Sequence, residues 1–332
     1  MNRHRMATVA AGLGALGLLA CLWLVSREAV AASLASLLGL AAIPLGALGL
    51  GLSVALVSGS ARDQLWTLTV HSSQSVPVIA LAALPVLIGA GALYAWVGVD
   101  EGGFRGLWLA WPSFAVRGVL YLALWWALAW WVLPLSLSQP AAAGLGLIAL
   151  VLSTSLAAVD WAMSLDLHFT SSLFGLVWFG RLMLSGIAFC CLGAVARGSN
   201  RPGVLRGLLA SAALAWLYLH FMQYLVIWYG NLPEEIRWYQ QRVDGGWAWL
   251  TGVLAGGQAL VFLALLWPAR ERRIPLTALA VATLTLGLAE GVWLSLPGVD
   301  AVRPLGLAFA LLCAWLAGIG LLALALLPRR ST

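Results

Sequence analysis

Apolar runs of 18 or more residues recur along the whole length of this 332-residue chain. Such a run is long enough to cross the roughly 30 Å hydrocarbon core of a bilayer as an α-helix. Hydrophobic residues make up 62% of the sequence and charged residues only 9%, whereas a soluble domain has about 25% charged residues. The sequence therefore predicts an all-α, polytopic membrane helix bundle.

Ten transmembrane spans fit the apolar pattern. They are predicted at residues 7–25, 33–57, 75–97, 112–134, 142–162, 171–196, 203–229, 247–267, 274–296 and 302–327. The connections between these spans are short and leave no room for a soluble domain. We therefore expect one integral membrane domain over residues 1–332.

The arginines predict the orientation, because all 18 basic residues are arginine. With ten spans and an inner N-terminus, eleven arginines fall on the inner side: Arg3, Arg5, Arg62, Arg197, Arg201, Arg206, Arg270, Arg272, Arg273, Arg329 and Arg330. Five fall on the outer side: Arg27, Arg105, Arg237, Arg242 and Arg303. The positive-inside rule then predicts that both termini are cytoplasmic. The formal charge of +6 follows from this topology and requires no nucleic-acid partner.

The N-terminal segment allows two interpretations. Residues 1–31 combine "RHR", an apolar run and "AVA", a combination that also fits a cleaved secretory signal. The apolar run, of about 19 residues, is longer than the usual signal core, which favours a retained first helix. Cleavage would leave the orientation of the other spans unchanged.

The four cysteines, Cys21, Cys190, Cys191 and Cys313, all lie inside predicted spans. None forms a CxxC or CxxCH pattern, so the sequence suggests neither an iron–sulfur cluster nor a covalently attached haem. We expect them to be buried and to act as small hydrophobic residues.

Five ionisable residues fall within the predicted spans: Arg117, Asp160, Arg181, His220 and Glu290. At about 1.5 Å per residue, all five lie between the bilayer midplane and the outer face. One interpretation is a polar, proton-conducting cavity that opens outward. The other is a pair of salt bridges, joining Arg117 or Arg181 to Asp160 or Glu290, that holds helices in register.

The segment "DWAMSLDLHFTSSLFG" (160–175) connects two spans on the outer side. Asp160, Asp166 and His168 are residue types that bind metals, but their spacing matches no metal motif, so we expect no metal. The residues Thr170 to Ser172 are predicted to cap the N-terminus of the sixth span. Haem b is not expected either, because His220 is the one histidine predicted well inside a span.

A family resemblance becomes visible in "QYLVIWYGNLPEE" (223–235), followed by "WY" (238–239) and "GGW" (245–247). Three more segments agree in order and spacing with family patterns. "VDWAMSLDLHFTSSLFG" (159–175) resembles "DW-MSLEPHW-STIFG", "FAVRGVLYLALW" (114–125) resembles "F-(I/V)R---Y-A-W", and "AEGVWLSLP" (289–297) resembles "D--W---P". Over roughly residues 75–297 the chain resembles the ActF-type membrane subunit of bacterial alternative complex III, in the NrfD/polysulfide-reductase superfamily.

Three positions depart from the family pattern. An expected "H-LTGG-W" segment reads "VSGSARDQLW" (57–66), so its histidine is missing. Glu290 stands where the family pattern has Asp, and Leu167 stands where it has Pro. The chain is also shorter than expected for the family. These departures raise the alternative of a streamlined relative that works in a different assembly.

The resemblance implies a subunit of a quinol:cytochrome c (or cupredoxin) oxidoreductase in the respiratory chain of the bacterial inner membrane. Expected partners are an iron–sulfur subunit, a multihaem cytochrome c subunit and a second NrfD-like subunit. The better-supported quinol site of such a complex lies on that companion subunit. The resemblance implies for this chain a scaffold with a proton half-channel for proton translocation, and no directly bound cofactor. If quinone binds here, the expected contacts are Asp160, His168, His220 and Gln223.

The polar segment "NLPEEIRWYQQR" (231–242) follows the seventh span and faces outward in this topology. We expect it to dock a periplasmic redox subunit, because it is long and aromatic as well as charged. The docking residues would be Asn231, Glu234, Glu235, Arg237 and Arg242. The alternative is that these side chains only solvate a loop among the lipid headgroups.

Three hypotheses of function follow. The first is a non-catalytic membrane subunit of a quinol-oxidising complex, in which any catalytic activity belongs to the whole assembly. The second is a quinone-binding redox subunit in its own right. The third is a ten-helix metabolite transporter, which would show a five-plus-five inverted repeat and broken helices.

Overall fold

The computed structural model describes residues 3–24, 26–57, 59–99, 102–199, 202–267, 275–299 and 303–326. Within these ranges the chain forms helices and no β-strand. The helices are α1 (Arg3–Leu24), α2 (Ser26–Leu40), α3 (Ala42–Ala55), α4 (Ser60–Ser73), α5 (Val76–Ile88), α6 (Gly103–Leu109), α7 (Trp111–Ala127), α8 (Leu133–Leu135), α9 (Pro140–Trp161), α10 (Phe174–Ala196), α11 (Pro202–Gly230), α12 (Pro233–Val243), α13 (Trp247–Leu266), α14 (Leu276–Ser295) and α15 (Pro304–Leu326).

Ten helical segments in the described part of the chain are long and apolar enough to cross a membrane. They confirm the predicted all-α, polytopic bundle. Three spans are built from consecutive pieces: α2 with α3, α4 with α5, and α7 with α8. A π-helical turn, Leu128–Val132, joins α7 to α8 just before Pro134, where the missing proline N–H interrupts the ordinary hydrogen-bond ladder.

The third span differs from its predicted position. It runs over Ala61–Ile88 instead of residues 75–97, and His71 therefore lies inside it. The α4 part was missed because it is rich in hydroxyl and charged side chains. The hydroxyls of Thr69 and Ser73 donate hydrogen bonds to carbonyl oxygens of their own helix, at 2.8 and 2.9 Å. This internal bonding lets a polar sequence lie buried against α3 and α10.

The span made of α2 and α3 lies at the centre of the bundle, and most of its residues are buried. It packs against α14, α15 and α5 on one half and against α10 and α4 on the other. At the crossing of α3 and α10, a Cβ added to Gly46 or Gly186 would collide with the facing backbone. Glycine at both positions is therefore what lets the two helices approach so closely.

One end of the bundle carries the site residues, and we call it the α12 end. It contains α12, the 162–173 connection between α9 and α10, and the segments 89–99 and 102–110. The larger hydrophobic core reaches this end through Trp96, Phe114, Phe169 and Trp238, whereas a second core joins α3, α4, α10 and α11 towards the opposite end. The predicted topology makes the α12 end the outer one.

Candidate functional site

The first polar cluster joins α7 to the end of α9 and consists of Arg117, Tyr121 and Asp160. The Arg117 guanidinium donates to both carboxylate oxygens of Asp160, from Nε at 2.8 Å and from Nη2 at 2.9 Å. Tyr121, one helical turn after Arg117, donates its hydroxyl to Asp160 Oδ2 at 2.7 Å. Asp160 is 2% exposed, so its carboxylate is buried and accepts three hydrogen bonds. Two of them come from one guanidinium in a fork geometry.

Arg117 has further partners at the α12 end. Its Nη1 donates to the carbonyl oxygen of Trp108 at 2.8 Å, and its guanidinium carbon lies 4.1 Å from the centre of the Trp108 ring. Trp108 belongs to the short helix α6, which precedes α7. Arg117 therefore fastens three elements together: α6, α7 and α9. The contact with the indole face adds a cation–π attraction.

A groove of about 620 Å³ lies beside this cluster. It is lined by residues of α6, by Asp160 and by the 163–170 segment, including Asp166 and Thr170. Asp166 accepts the backbone N–H of His168 at Oδ1, at 3.0 Å, while its buried Oδ2 has no hydrogen-bond partner in the part of the chain that the structure describes. His168 points away from the core, because its side chain is 59% exposed.

The second polar cluster joins α10, α11 and α14 around Glu290. Arg181 Nε lies 3.3 Å from Glu290 Oε2, a contact that is an ion pair without a well-formed hydrogen bond. Trp216 Nε1 donates to the same carboxylate at 3.1 and 3.2 Å. His220 Nε2 lies 3.0 Å from Glu290 Oε1. We call these four residues the Glu290 cluster.

Each member of the Glu290 cluster is held by its own helix or by a neighbour. Arg181 donates to the carbonyl oxygens of Leu38 and Gly287, at 2.7 and 2.8 Å. The His220 ring stacks on the Trp216 indole with centroids 3.9 Å apart, and its Nδ1 lies 3.0 Å from the Trp216 carbonyl oxygen. Arg181 and Glu290 are buried, whereas the His220 side chain is 18% exposed. The imidazole is thus the edge of the cluster that reaches the surface.

The five ionisable residues predicted as one set therefore separate into two clusters. Arg117 pairs with Asp160, and Arg181 pairs with Glu290 beside His220. No ion pair among the described residues joins the two clusters. Two of the salt bridges considered from the sequence are present, Arg117 with Asp160 and Arg181 with Glu290, while the role of these residues in a proton pathway stays a prediction. Gln223, named as a quinone contact, is buried one turn beyond His220 on α11.

The predicted docking segment forms the helix α12 and is only partly exposed. Asn231, Glu234 and Arg237 are exposed and Glu235 is half-buried. Arg242 is 2% exposed, and its guanidinium donates to the carbonyl oxygens of Trp238, Trp293 and Leu294, at 2.8, 3.2 and 2.9 Å. The docking role expected for Arg242 is therefore wrong: its guanidinium is committed inside the fold.

The surroundings of Arg242 explain its burial. Two of its acceptors are carbonyl oxygens in the last turn of α14. Carbonyls at this position have no N–H donor within their own helix. Its guanidinium carbon also lies 3.5 Å from the centre of the Trp238 ring. Burial lowers the pKa of the Arg242 guanidinium, and the nearby Tyr239 and Asp166 act in the opposite direction.

Another arginine caps a helix end in the same way at the opposite end of the bundle. Arg206 is buried and donates from Nε to the carbonyl oxygen of Leu265 at 2.9 Å, and from Nη2 to that of Ala264. Both acceptors are in the last turn of α13. From the sequence, Arg206 is predicted only as a topology signal, because the carbonyls that it caps lie about sixty residues further along the chain.

The predicted N-cap of α10 is wrong. α10 begins at Phe174, and its capping residue Leu173 makes no side-chain cap hydrogen bond. Instead of a hydroxyl, the backbone carbonyl oxygen of Ser171 accepts the N–H of Phe174 at 3.3 Å. The sequence analysis also missed the role of Trp216. Its position four residues before His220, on the same face of α11, was the available signal.

Within the described ranges, no group of three or more His, Cys, Asp or Glu side chains could hold a metal ion. The comparisons with known proteins add no relative, since no family model and no curated protein matches the chain. The ten apolar helices indicate an integral, multi-pass membrane protein.

Proposed function

We propose that this chain is a non-catalytic subunit of a quinol-oxidising respiratory complex in the bacterial inner membrane. In this role it provides a helical scaffold and an outward-facing proton half-channel. The partners would be an iron–sulfur subunit, a multihaem cytochrome c subunit and a second NrfD-like subunit. The proposal starts from the four sequence segments that resemble alternative complex III.

The observation that supports the proposal is that these four segments meet at the α12 end. In chain order the four segments are 114–125, 159–175, 223–247 and 289–297. Arg117, from the first segment, pairs with Asp160, from the second. Phe169, also from the second, stacks on Trp238, from the third, with ring centroids 4.6 Å apart. Trp238 in turn packs edge-on against Trp293, from the fourth segment, at 5.3 Å. If the four matches to the family patterns were due to chance, nothing would require the matched segments to contact one another.

The Glu290 cluster is the part suited to a half-channel. His220 and Glu290 are both able to gain and lose a proton, and their facing atoms are 3.0 Å apart, within reach of direct proton transfer. The partly exposed imidazole would exchange protons with water that reaches it from the outer side, and the buried carboxylate would receive them. Buried ionisable groups at membrane depth are typical of proton relays.

The test of the subunit proposal is a native pull-down of the tagged chain from solubilised membranes. Haem staining and mass spectrometry of the co-purified proteins are the measurements. We expect a multihaem cytochrome c, an iron–sulfur protein and a second polytopic membrane protein. Recovery of the chain without any of these would overturn the subunit proposal and direct the work to transport assays.

A matched pair of charge reversals tests the docking surface at the α12 end. Glu234 is exposed on α12, and Asp63 is exposed on α4 at the opposite end of the bundle. We expect Glu234→Lys to reduce recovery of the cytochrome subunit severalfold and Asp63→Lys to leave it unchanged, because docking by exposed charges depends on their sign. Equal recovery of the cytochrome with both variants would remove α12 from the interface.

The half-channel is tested with the purified complex in proteoliposomes. Glu290→Gln keeps the shape of the side chain but cannot carry a proton. We expect quinol oxidation to persist while the number of protons translocated per electron falls. An unchanged ratio would exclude Glu290 from the path. Asp63→Asn is the matched control, because its carboxylate lies outside both clusters.

A second candidate function is quinone binding by this chain itself. The groove of about 620 Å³ favours it, because Asp160 and the unpartnered Asp166 Oδ2 are on its lining and a quinol hydroxyl needs such an acceptor. His168, Gln223 and His220 do not line this groove. Asp166→Asn should weaken binding of a soluble short-chain quinol to the purified chain. Binding equal to that of the unmodified chain would exclude Asp166 from such a site.

A further inference from the structure

A larger cavity, of about 840 Å³, lies apart from both clusters, between α1, α2, α5 and α15. Its lining is almost entirely apolar and reaches the surface of the bundle. Leu19, Leu81, Leu84 and Ile88 line the cavity and are exposed, Ile88 to 75%. The cavity therefore opens sideways between α1 and α5, towards the hydrocarbon of the membrane. Its volume falls within the range of roughly 300–1,000 Å³ that is usual for small-molecule sites.

Two serines of α2 line the cavity, and they differ in their hydrogen bonding. The Ser33 hydroxyl donates to the carbonyl oxygen of Ala29 at 2.7 Å, the usual arrangement for a serine within a helix. The Ser36 side chain is 2% exposed, and its hydroxyl has no hydrogen-bond partner among the residues that the structure describes. A buried hydroxyl without a partner is costly. A ligand that places a carbonyl oxygen beside the hydroxyl would satisfy it.

The depth of Ser36 decides which lipid fits. Ser36 lies nine residues after Arg27 on α2, or about 13 Å along the helix axis. In the predicted topology Arg27 lies at the outer headgroup level, and half of the hydrocarbon core is about 15 Å thick. The ester carbonyls of a phospholipid lie outside that core, so its charged headgroup would have to enter hydrocarbon to reach Ser36. A neutral lipid that carries its carbonyls on a ring at the end of a long chain meets no such obstacle.

We infer that this cavity binds an isoprenoid quinone, with a ring carbonyl accepting a hydrogen bond from Ser36 and the chain lying along α1 and α5. The choice of quinone among neutral lipids rests on the proposed function. The site is separate from the groove beside Asp160. It holds quinone close to the complex without exposing it to the two charged clusters.

The test uses the full chain in nanodiscs of phosphatidylethanolamine and phosphatidylglycerol. The probe is a photoactivatable azidoquinone with a prenyl chain, and decylubiquinone is the competitor. Labelled peptides are identified by mass spectrometry. We expect the label on α2, α5 or α15, and competition by decylubiquinone. Label confined to the 160–175 segment or α12, or label that decylubiquinone does not displace, would overturn the inference.

Matched variants separate the hydroxyl from the cavity. Ser36→Ala should weaken competition by decylubiquinone about fivefold, the loss of one neutral hydrogen bond, whereas Ser33→Ala should change it less than twofold. Ala82→Phe, which places a ring in the cavity, should reduce labelling more strongly. If that variant does not elute as a folded species in gel filtration, the serine pair alone decides. Equal competition in Ser36→Ala and the unmodified chain overturns the inference.

The outcome does not depend on the fate of the subunit proposal. Labelling in nanodiscs needs no partner protein, so a failed pull-down would leave a positive labelling result standing. A recovered complex whose membrane chain is unlabelled in this cavity would overturn only the quinone inference.

Discussion

The Arg117–Asp160 pair and the Glu290 cluster place two buried carboxylates near the same end of the bundle but surround them differently. Asp160 receives three donors, two of them from one guanidinium in a fork geometry. Glu290 has one loosely aligned arginine contact, an indole and an imidazole. The first arrangement is rigid and contains no imidazole. The second contains one, which makes it the better candidate for proton exchange.

The largest expected effect comes from breaking the Arg117–Asp160 pair on one side only. Arg117→Leu leaves the Asp160 charge buried without its partner, and we expect a loss of about 3–5 kcal/mol of unfolding free energy. The double variant Arg117→Leu with Asp160→Leu should recover most of that loss. Unfolding by sodium dodecyl sulfate in mixed micelles is the measurement.

The exposed Arg237 supplies the control for that experiment. Arg237→Leu should change the unfolding free energy by less than about 0.5 kcal/mol. If Arg117→Leu costs as little as Arg237→Leu, the pair does not stabilise the bundle and the contrast with the Glu290 cluster fails.

A smaller effect is expected when the Glu290 charge is removed. In Glu290→Gln, Arg181 keeps the carbonyl oxygens of Leu38 and Gly287. We therefore expect a loss of about 1.5–3 kcal/mol, less than that of Asp160→Asn measured in the same way. The reverse order of the two losses would show that the Glu290 cluster is the more rigid of the two.

The fold and the identity of the polar residues were accessible from sequence because they depend on local properties. Runs of apolar residues specify spans, and an ionisable residue within such a run stands out. The choice of partners was not accessible. Arg117 lies 43 residues before Asp160, and Arg181 lies 109 residues before Glu290. The pairing of each arginine with its carboxylate depends on how α7, α9, α10 and α14 pack. The composition of the spans carries no information on that packing.

Two predictions from the sequence differ from the structure for specific physical reasons. The α4 part of the third span was missed because hydropathy treats each hydroxyl as exposed, although Thr69 and Ser73 bond to their own helix. Arg242 was assigned to the surface because it ends a polar segment. Its burial depends on the carbonyls of α14, about fifty residues further along the chain.

Tyr121 tests how far the rigidity of the first cluster depends on its third donor. Tyr121→Phe removes one hydrogen bond to the Asp160 carboxylate and leaves both bonds from Arg117. We expect a loss of about 1.5 kcal/mol, the lower range for hydrogen bonds to a charged group. Tyr218→Phe is the control, since Tyr218 is exposed on α11 and should change the free energy by less than about 0.5 kcal/mol. Equal effects would mean that Tyr121 only fills space.

The smallest expected effect is at His220, and it sharpens the comparison most. His220→Phe retains a ring to stack on Trp216 and removes the contacts of the two imidazole nitrogens, one with Glu290 and one with the Trp216 carbonyl oxygen. The Glu290 carboxylate keeps Trp216 and Arg181. We expect a loss of about 0.5–1 kcal/mol, and a double-mutant cycle of His220→Phe with Glu290→Gln should give a smaller coupling energy than Arg117→Leu with Asp160→Leu. Weak coupling is what a proton relay requires, because a partner that bound the carboxylate tightly in one protonation state would trap the proton. A coupling energy as large as that of Arg117 with Asp160 would identify both clusters as rigid salt bridges and remove the structural basis for a half-channel at Glu290.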